Sequence, residues 1–401
     1  MNFINNIRKY IKGDLIIWIV LLFLFIFSIL IVYSSSSSLA YRYQNGNTLY
    51  YFLKHTSILV IGLLIIYFLH KVPYIVFSKL SFILLVISIV LLIFTLALGL
   101  SVNQAARWLK IPGLGITFQT SDLAKLSLIL YVSRVLSIHQ NEIKDFKKVF
   151  LPLLIIVGFT CLLIFPANFS TSALLFITCM LLMFIGRIPF KYIFFTLTIA
   201  LMLFGIFLSL SFAFKWEGRW ETWRNRIKNF VVPSEKENYE ENYHVIQAKI
   251  AIVNGGIIKL RPGKSVQKNF LPNSFNDSIF PIIIEEYGFI GGAFIMFLYL
   301  FLLFRAGVIL RKSDRAFPAL VAIGLTLLIV IQAFINMAVA VNILPVTGQP
   351  LPFISMGGTS ILFTSIAFGI ILSVSRSIEE KSDKINTEKE ENYNEENDEE
   401  Q

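Results

Sequence analysis

The chain reads as long apolar runs separated by short polar breaks. Runs of about 18 or more apolar residues, enough to cross a hydrocarbon layer as helix, fall at 15–33, 50–69, 77–100, 119–136, 149–167, 170–186, 192–213, 278–304, 316–341 and 358–375. The pattern predicts an all-α chain of ten spans, because backbone facing lipid must satisfy its hydrogen bonds within its own segment. The first run follows Arg8, Lys9 and Lys12 and leads into small residues at 34–40, as a signal peptide would. Its apolar stretch exceeds an ordinary signal core, so it is read as a retained anchor.

The polar breaks give an orientation. Alternate connections carry Lys71, then Lys144, Lys147 and Lys148, then Arg187 and Lys191, then Arg305, Arg311, Lys312 and Arg315. Positive charge in short loops marks the cytoplasmic side, so both termini are expected there and the segments 34–48, 101–119, 214–277 and 342–357 outside. Composition supports the class: with 56% hydrophobic and 15% charged residues and mean hydropathy +0.72, the chain has more apolar surface than one soluble core could bury.

Charge changes the picture in two places. The net charge of +10 is spread over loops, so the positive-inside pattern explains much of it and nucleic acid is not implied. The end of the chain goes the other way. Residues 377–401 hold eleven acidic residues against Lys381, Lys384 and Lys389, with few apolar ones, and are expected to form a disordered cytoplasmic tail behind a membrane domain of residues 1–376. Cys161 and Cys179 lie inside spans and report packing. None of His55, His70, His139 and His244 has a partner at metal-ligand spacing.

The segment 214–277 carries eleven Lys or Arg against seven Asp or Glu. Long loops cross regardless of charge, so this external positive excess points to an anionic ligand at the membrane surface. Trp216, Trp220 and Trp223 suit a headgroup belt. Tyr243, Ile246, Ile250 and Val253 recur at helical spacing up to Gly255 and Gly256, which predicts an amphipathic helix on the bilayer. Arg226, Gln247 and Lys249 would there be available to a ligand, or would only solvate the loop. Asp277 closes the segment at the lip of the eighth span, where an ionisable group is costly and is a functional candidate.

Three further features accompany it. In 103–124, NQAARWLKIPGLGITFQTSDLA, Arg107 and Trp108 sit at the interface, a proline and two glycines force a turn, and Thr120, Ser121 and Asp122 form a helix N-terminus. Lys125 follows about one turn inside the span, where it snorkels or pairs with an acid: Asp122, Asp277, Glu285 or Glu286. Glu285 and Glu286 lie roughly 12–13 Å along the helix from Asp277 and are expected to make a structural ion pair. The stretch 345–360, PVTGQPLPFISMGGTS, is too rich in proline and glycine for a regular span and must line protein or water. Its end, Gly357 to Ser360, could offer amides and hydroxyls to an anion, or be a purely structural turn.

The order of NQAARWLK, FQTSDLAK, YHVIQAKIAIVNGG, FLPNSFNDSIFPIIIEEYGFIGG and PVTGQPLPFISMGGTS resembles the SEDS family of FtsW and RodA, over nearly the whole chain to Arg376. The last motif and the preceding NMAVAVN are closer to FtsW. The resemblance implies the ten-helix SEDS fold and an inverting peptidoglycan glycosyltransferase that polymerises lipid II, undecaprenyl-pyrophosphate disaccharide-pentapeptide, on the outer face of the bacterial cytoplasmic membrane during cell division. It implies a class B penicillin-binding protein and other division proteins as partners. Asp277 falls on the family's catalytic aspartate, Arg107 and Trp108 on its RW pair, Gln119, Ser121 and Lys125 on its FQPSE-x-x-K segment, and Gln247 on its loop glutamine. The sequence departs from the family at Thr120 and Asp122, where proline and glutamate are usual, at Asn168 for an aspartate, at Asn273 for a glutamate, and at Lys259 to Gly263 for a glycine-rich run.

The chemistry fits these residue types. A hydroxyl must attack an anomeric carbon while a polyprenyl pyrophosphate leaves, which calls for a base and for positive charge. Asp277 is expected as the base, oriented by Lys125, with Arg107, Arg226 or Lys249 balancing the pyrophosphate. No cofactor is fixed by the sequence; a divalent cation, Mg or Mn, could share that task. A flippase of lipid-linked precursor, an elongation-type polymerase of the RodA kind and a non-catalytic division scaffold are the alternatives.

Overall fold

The computed structural model describes residues 12–102, 105–110, 117–214, 219–231, 239–271 and 273–399. Its helices are α1 (Leu15–Ser35), α2 (Ser37–Tyr43), α3 (Thr48–Leu69), α4 (Tyr74–Leu98), α5 (Thr120–Ile138), α6 (Leu151–Ile164, entered through a π turn at Phe146–Phe150), α7 (Phe169–Ile185), α8 (Phe190–Phe214), α9 (Arg219–Val231), α10 (Tyr239–Gly255), α11 (Ile279–Lys312), α12 (Ala316–Ala340) and α13 (Gly358–Glu399). Each of the ten apolar runs lies on one of them. Eight helices among the described residues are long and apolar enough to cross a membrane; α7 is a shorter apolar helix, and α5 opens with the polar Ser121, Asp122 and Lys125.

Helix starts follow local chemistry. Asp14 caps α1 by accepting from the Ile16 amide, 2.9 Å, and Asn168 caps α7 by accepting from the Thr171 amide, 3.3 Å. Asn168, which replaces a family aspartate, therefore has a structural task. The central helix is α12, with 78% of its spanning window buried, whereas α8 has 6% buried and stands at the rim. Polar groups on α12 therefore face protein.

The two ends of the bundle separate as the loop charges predict. At one end the Gly13 amide donates to Glu379, 2.6 Å, Arg376 donates to the Lys71 carbonyl, 3.1 Å, and Arg305 pairs with Asp14. At the other, Arg107 donates to the Ala167 carbonyl, 2.8 Å.

Three local expectations are corrected. Within 101–119 the chain forms an antiparallel sheet ordered β1 (Leu100–Val102), β2 (Ala105–Lys110), β3 (Thr117–Gln119), with Trp108 opposite both Leu100 and Gln119. These strands are too short for their alternation to stand out in the sequence; the turn expected at Pro112 to Gly115 lies outside the described residues. The tail expected to be disordered continues α13 to Glu399. Its Glu and Lys are good helix formers, and a helix already nucleated in the span extends without a second nucleation cost. Trp223 leaves the headgroup belt: it is buried, 5.2 Å from the Phe165 ring and 4.8 Å from Phe169. The side chain of Trp220, and Trp216 altogether, lie outside the described residues.

Candidate active site

The loop that delivers Asp277 is held by the helix it leads into. Where α10 crosses α11, a Cβ on Gly255 would come within 2.2 Å of the Ile284 carbonyl, so glycine is required. Farther along, Gly288 has φ +71° and interrupts α11; the freed amides of Phe289 and Ile290 donate to the carbonyls of Gly256, 2.9 Å, and Ile257, 3.2 Å. Such a break is tolerated because neighbouring backbone satisfies the groups it releases.

Glu285 and Glu286 hold the next stretch. Glu285 accepts from the amides of Val266, 3.1 Å, and Gln267, 3.2 Å, and from the Ser265 hydroxyl. Glu286 accepts from the amides of Gly263, 3.0 Å, and Ser265, 3.2 Å, and from the Ser34 hydroxyl. The expected ion pair is thus replaced by a cradle of main-chain donors, which a carboxylate with its several lone pairs can fill without a cation. Lys268 is turned instead to the Gly263 carbonyl, 2.7 Å.

Asp277 emerges from this loop just before the first turn of α11, where the helix dipole favours a negative charge. Its main-chain carbonyl accepts from Asn336 Nδ2 at 2.8 Å, and the same nitrogen donates to the Gln349 carbonyl at 2.8 Å. A Cβ on Gly348 would stand 3.6 Å from Asp277 Oδ2, and Asp277 Oδ1 is buried with no hydrogen-bond partner. Burial pushes this carboxyl up to about 6, although the amides of Asp277 and Ser278 and the charge of Arg226 pull it back.

Arg226 donates to the Val346 carbonyl at 3.0 Å. His244 lies 2.7 Å from the Ser278 hydroxyl, and burial, then the Arg226 charge, hold its imidazole below its usual value. Arg226, His244, Asp277, Asn336 and the 346–349 backbone therefore form one cluster.

The other expected residues are placed around it. Lys125 pairs with Asp122 at 2.8 Å, both side chains nearly buried, and donates to Gln332 at 3.3 Å. Gln332 in turn donates to the Pro350 carbonyl at 3.0 Å. Lys125 is therefore tied to Asp122 and, through Gln332, to the Pro350 backbone, with no bond to Asp277 among the described residues: at this depth it takes the acid one turn away on its own helix. Gln119 donates to the Ser121 hydroxyl, 2.8 Å, beside Arg107 at a narrow crevice on the same end of the bundle. Trp108 lies on β2, next to Arg107 and across from Gln119. Gln247 is half-buried on α10, and Lys249 is exposed on the same helix without a bond to the cluster.

The expected helix forms as α10, with Ile246, Ile250 and Val253 exposed and Ala248 and Ala251 buried. Asn336, Gln332, His244 and Gln349 did not emerge from the sequence as site residues. A signal for two of them exists: Gln332 and Asn336 are amides one turn apart inside an otherwise apolar span.

Among the described residues no three His, Cys, Asp or Glu side chains converge as metal ligands. A cavity of about 970 Å³, lined by Asp14, Arg305, Asp314 and Glu379, lies at the far end of α11 from Asp277 and is separate from this cluster.

A bundle of membrane-crossing helices with one carboxylate and one arginine gathered under a long polar loop defines a multi-pass membrane protein with a buried polar cluster at one end. The model of the FtsW, RodA and SpoVE family, described as cell cycle protein, matches residues 14–380, and the chain belongs to this SEDS family. A probable peptidoglycan glycosyltransferase FtsW of Coxiella burnetii is 31% identical over 82% of this chain and 88% of its own length. Stage V sporulation protein E of Bacillus subtilis is 32% identical over 79% and 84%. In fold, the chain is similar to one from a peptidoglycan synthase complex, with TM-score 0.68 and 21% identity over 91% of this chain and 98% of that one. It is also similar to Thermus thermophilus rod shape determining protein RodA, TM-score 0.63 and 20% identity over 92% and 98%.

Proposed function

We propose that this protein is a peptidoglycan glycosyltransferase that polymerises lipid II at the outer face of the bacterial cytoplasmic membrane during cell division, in company with a class B penicillin-binding protein. The observation that carries the reading is Asp277: a carboxylate with a buried, unpartnered oxygen, beside an arginine, at the end of the bundle away from both described chain ends.

Asp277 Oδ1 accepts the proton of the acceptor hydroxyl as that oxygen bonds to the donor's anomeric carbon. The bond from that carbon to the pyrophosphate oxygen breaks, and the pyrophosphate leaves with the electron pair. One displacement inverts the anomeric centre. Arg226 supplies positive charge beside the base, and Arg107 supplies it at the neighbouring crevice. If a divalent cation takes part, Asp277 is the cluster's single carboxylate, and the remaining ligands would be pyrophosphate oxygens and water, a set that Mg favours.

Asp277→Asn tests the assignment. In purified protein it is expected to abolish lipid II polymerisation without lowering the melting temperature, because a neutral amide removes a charge that the site disfavours at neutral pH. Polymerisation at the wild-type rate by a folded Asp277→Asn protein would show that the base lies elsewhere.

A further inference from the structure

The amide of Asn336 has one possible orientation. Both of its close partners, the Asp277 and Gln349 carbonyls, are acceptors, so its NH2 must face them and its oxygen must face away. That oxygen, Asn336 Oδ1, is buried and has no donor. Two more buried oxygens in this cluster share the condition: Asp277 Oδ1 and Thr347 Oγ1.

Thr347 lies between Val346, whose carbonyl takes a hydrogen bond from Arg226, and Gly348, which stands against the Asp277 carboxylate. Buried polar atoms are nearly always paired, and leaving one unpaired costs about 1–3 kcal/mol. Three such atoms on three elements that meet at Asp277 describe a place built for a ligand.

Their chemistry specifies the class. An amide oxygen only accepts, an ionised carboxylate only accepts, and the threonine hydroxyl can do either. These oxygens call for hydrogens, and at them a phosphate would meet acceptors and negative charge, whereas Arg226 Nε, a buried donor that also lacks a partner, calls for an acceptor on its own side of the cluster. A neutral sugar with hydroxyl and acetamido N–H groups matches.

We infer that Asn336 Oδ1 and Thr347 Oγ1, together with Asp277 Oδ1, form the subsite for the acceptor sugar, which they grip by its hydroxyl and acetamido hydrogens, while the pyrophosphate lies toward the arginines. This rests on the glycosyl-transfer reading above and deepens it. Asn336 then has two tasks: its NH2 fixes the backbone of the base and of the 345–350 segment, and its oxygen takes the sugar.

Thr347→Val separates ligand from fold. The hydroxyl has no partner in the protein, so the isosteric change is expected to leave the melting temperature equal or higher. Lipid II in detergent micelles is titrated against Asp277→Asn protein, which cannot turn it over, with and without Thr347→Val. Affinity is expected to fall about tenfold, the equivalent of one neutral hydrogen bond, and Thr347→Ser is expected to restore it. Equal affinity in folded Thr347→Val protein would overturn the subsite. So would stoichiometric Mn2+ binding by the wild type that Thr347→Val abolishes, since the oxygens would then be metal ligands. Lipid II binding that depends on Thr347 in a wild-type protein that makes no glycan would instead keep the subsite and defeat the polymerase reading. Failure of every form to bind lipid II would defeat both.

Discussion

Asp277 is the residue on which the chemistry turns, and its proton affinity makes a prediction. Burial raises its carboxyl to about 6, so the ionised base is present above that pH and is lost as pH falls through it. Polymerisation, followed as kcat/KM, is expected to fall about tenfold per pH unit below 6. Arg226 holds the value down by its charge, so Arg226→Gln should move this acid limb to higher pH; an unmoved limb would mean that another group titrates. His244 also faces the cluster, and burial, then the Arg226 charge, hold its pKa below the usual imidazole value. The sequence made Asp277 legible, since a carboxylate at a span mouth is expensive, and made Arg226 legible through the basic loop before it. It could not show Asn336, because an asparagine in an apolar span acquires meaning only when the two carbonyls it joins, 59 and 13 residues away in sequence, are brought to it.

At the scale of elements, two devices place that residue. One is the cradle in which Glu285 and Glu286 hold the 263–267 backbone. The other is the ladder from Asp122 through Lys125 and Gln332 to the Pro350 carbonyl, which holds the proline-rich segment against α12. The ladder can be tested by stability. Lys125→Met leaves a buried carboxylate without its cation and should cost about 3–5 kcal/mol, read as a drop in melting temperature. Adding Asp122→Leu should recover most of the loss, because an apolar pair avoids the desolvation cost of both charges. Equal losses in the single and double variants would mean that the ion pair is not what Lys125 contributes. Lysine and aspartate at i,i+3 were readable as a pair in the sequence. The competition among four candidate acids was decided only when Glu285 and Glu286 were taken by loop amides.

For the molecule as a whole, the end opposite Asp277 is tied by charge. Arg305 of α11 pairs with Asp14, which is nearly buried, while Lys12 and Glu380 meet in the open. These pairs should not be equivalent. Arg305→Ala is expected to lower the melting temperature clearly, since it strands Asp14, whereas Lys12→Ala should stay within about 1 kcal/mol of wild type, as exposed pairs do. Comparable losses would show that the end is held by packing and not by the Asp14 pair.

The sequence by itself determined the class and the frame. Apolar run length set the helices, loop lysines and arginines predicted which connections meet at which end, and the cost of charge near lipid singled out Asp277, because each of these follows from local composition. Only the tertiary structure decided what surrounds that acid. The small sheet at Trp108, the amide cradle of Glu285 and Glu286, the diversion of Lys125 to Asp122 and the unpartnered oxygens at Asn336 and Thr347 all depend on residues far apart in the chain. A hydrogen bond is chosen by which donors and acceptors the fold brings within 3 Å or so, and no periodicity in the chain records that choice.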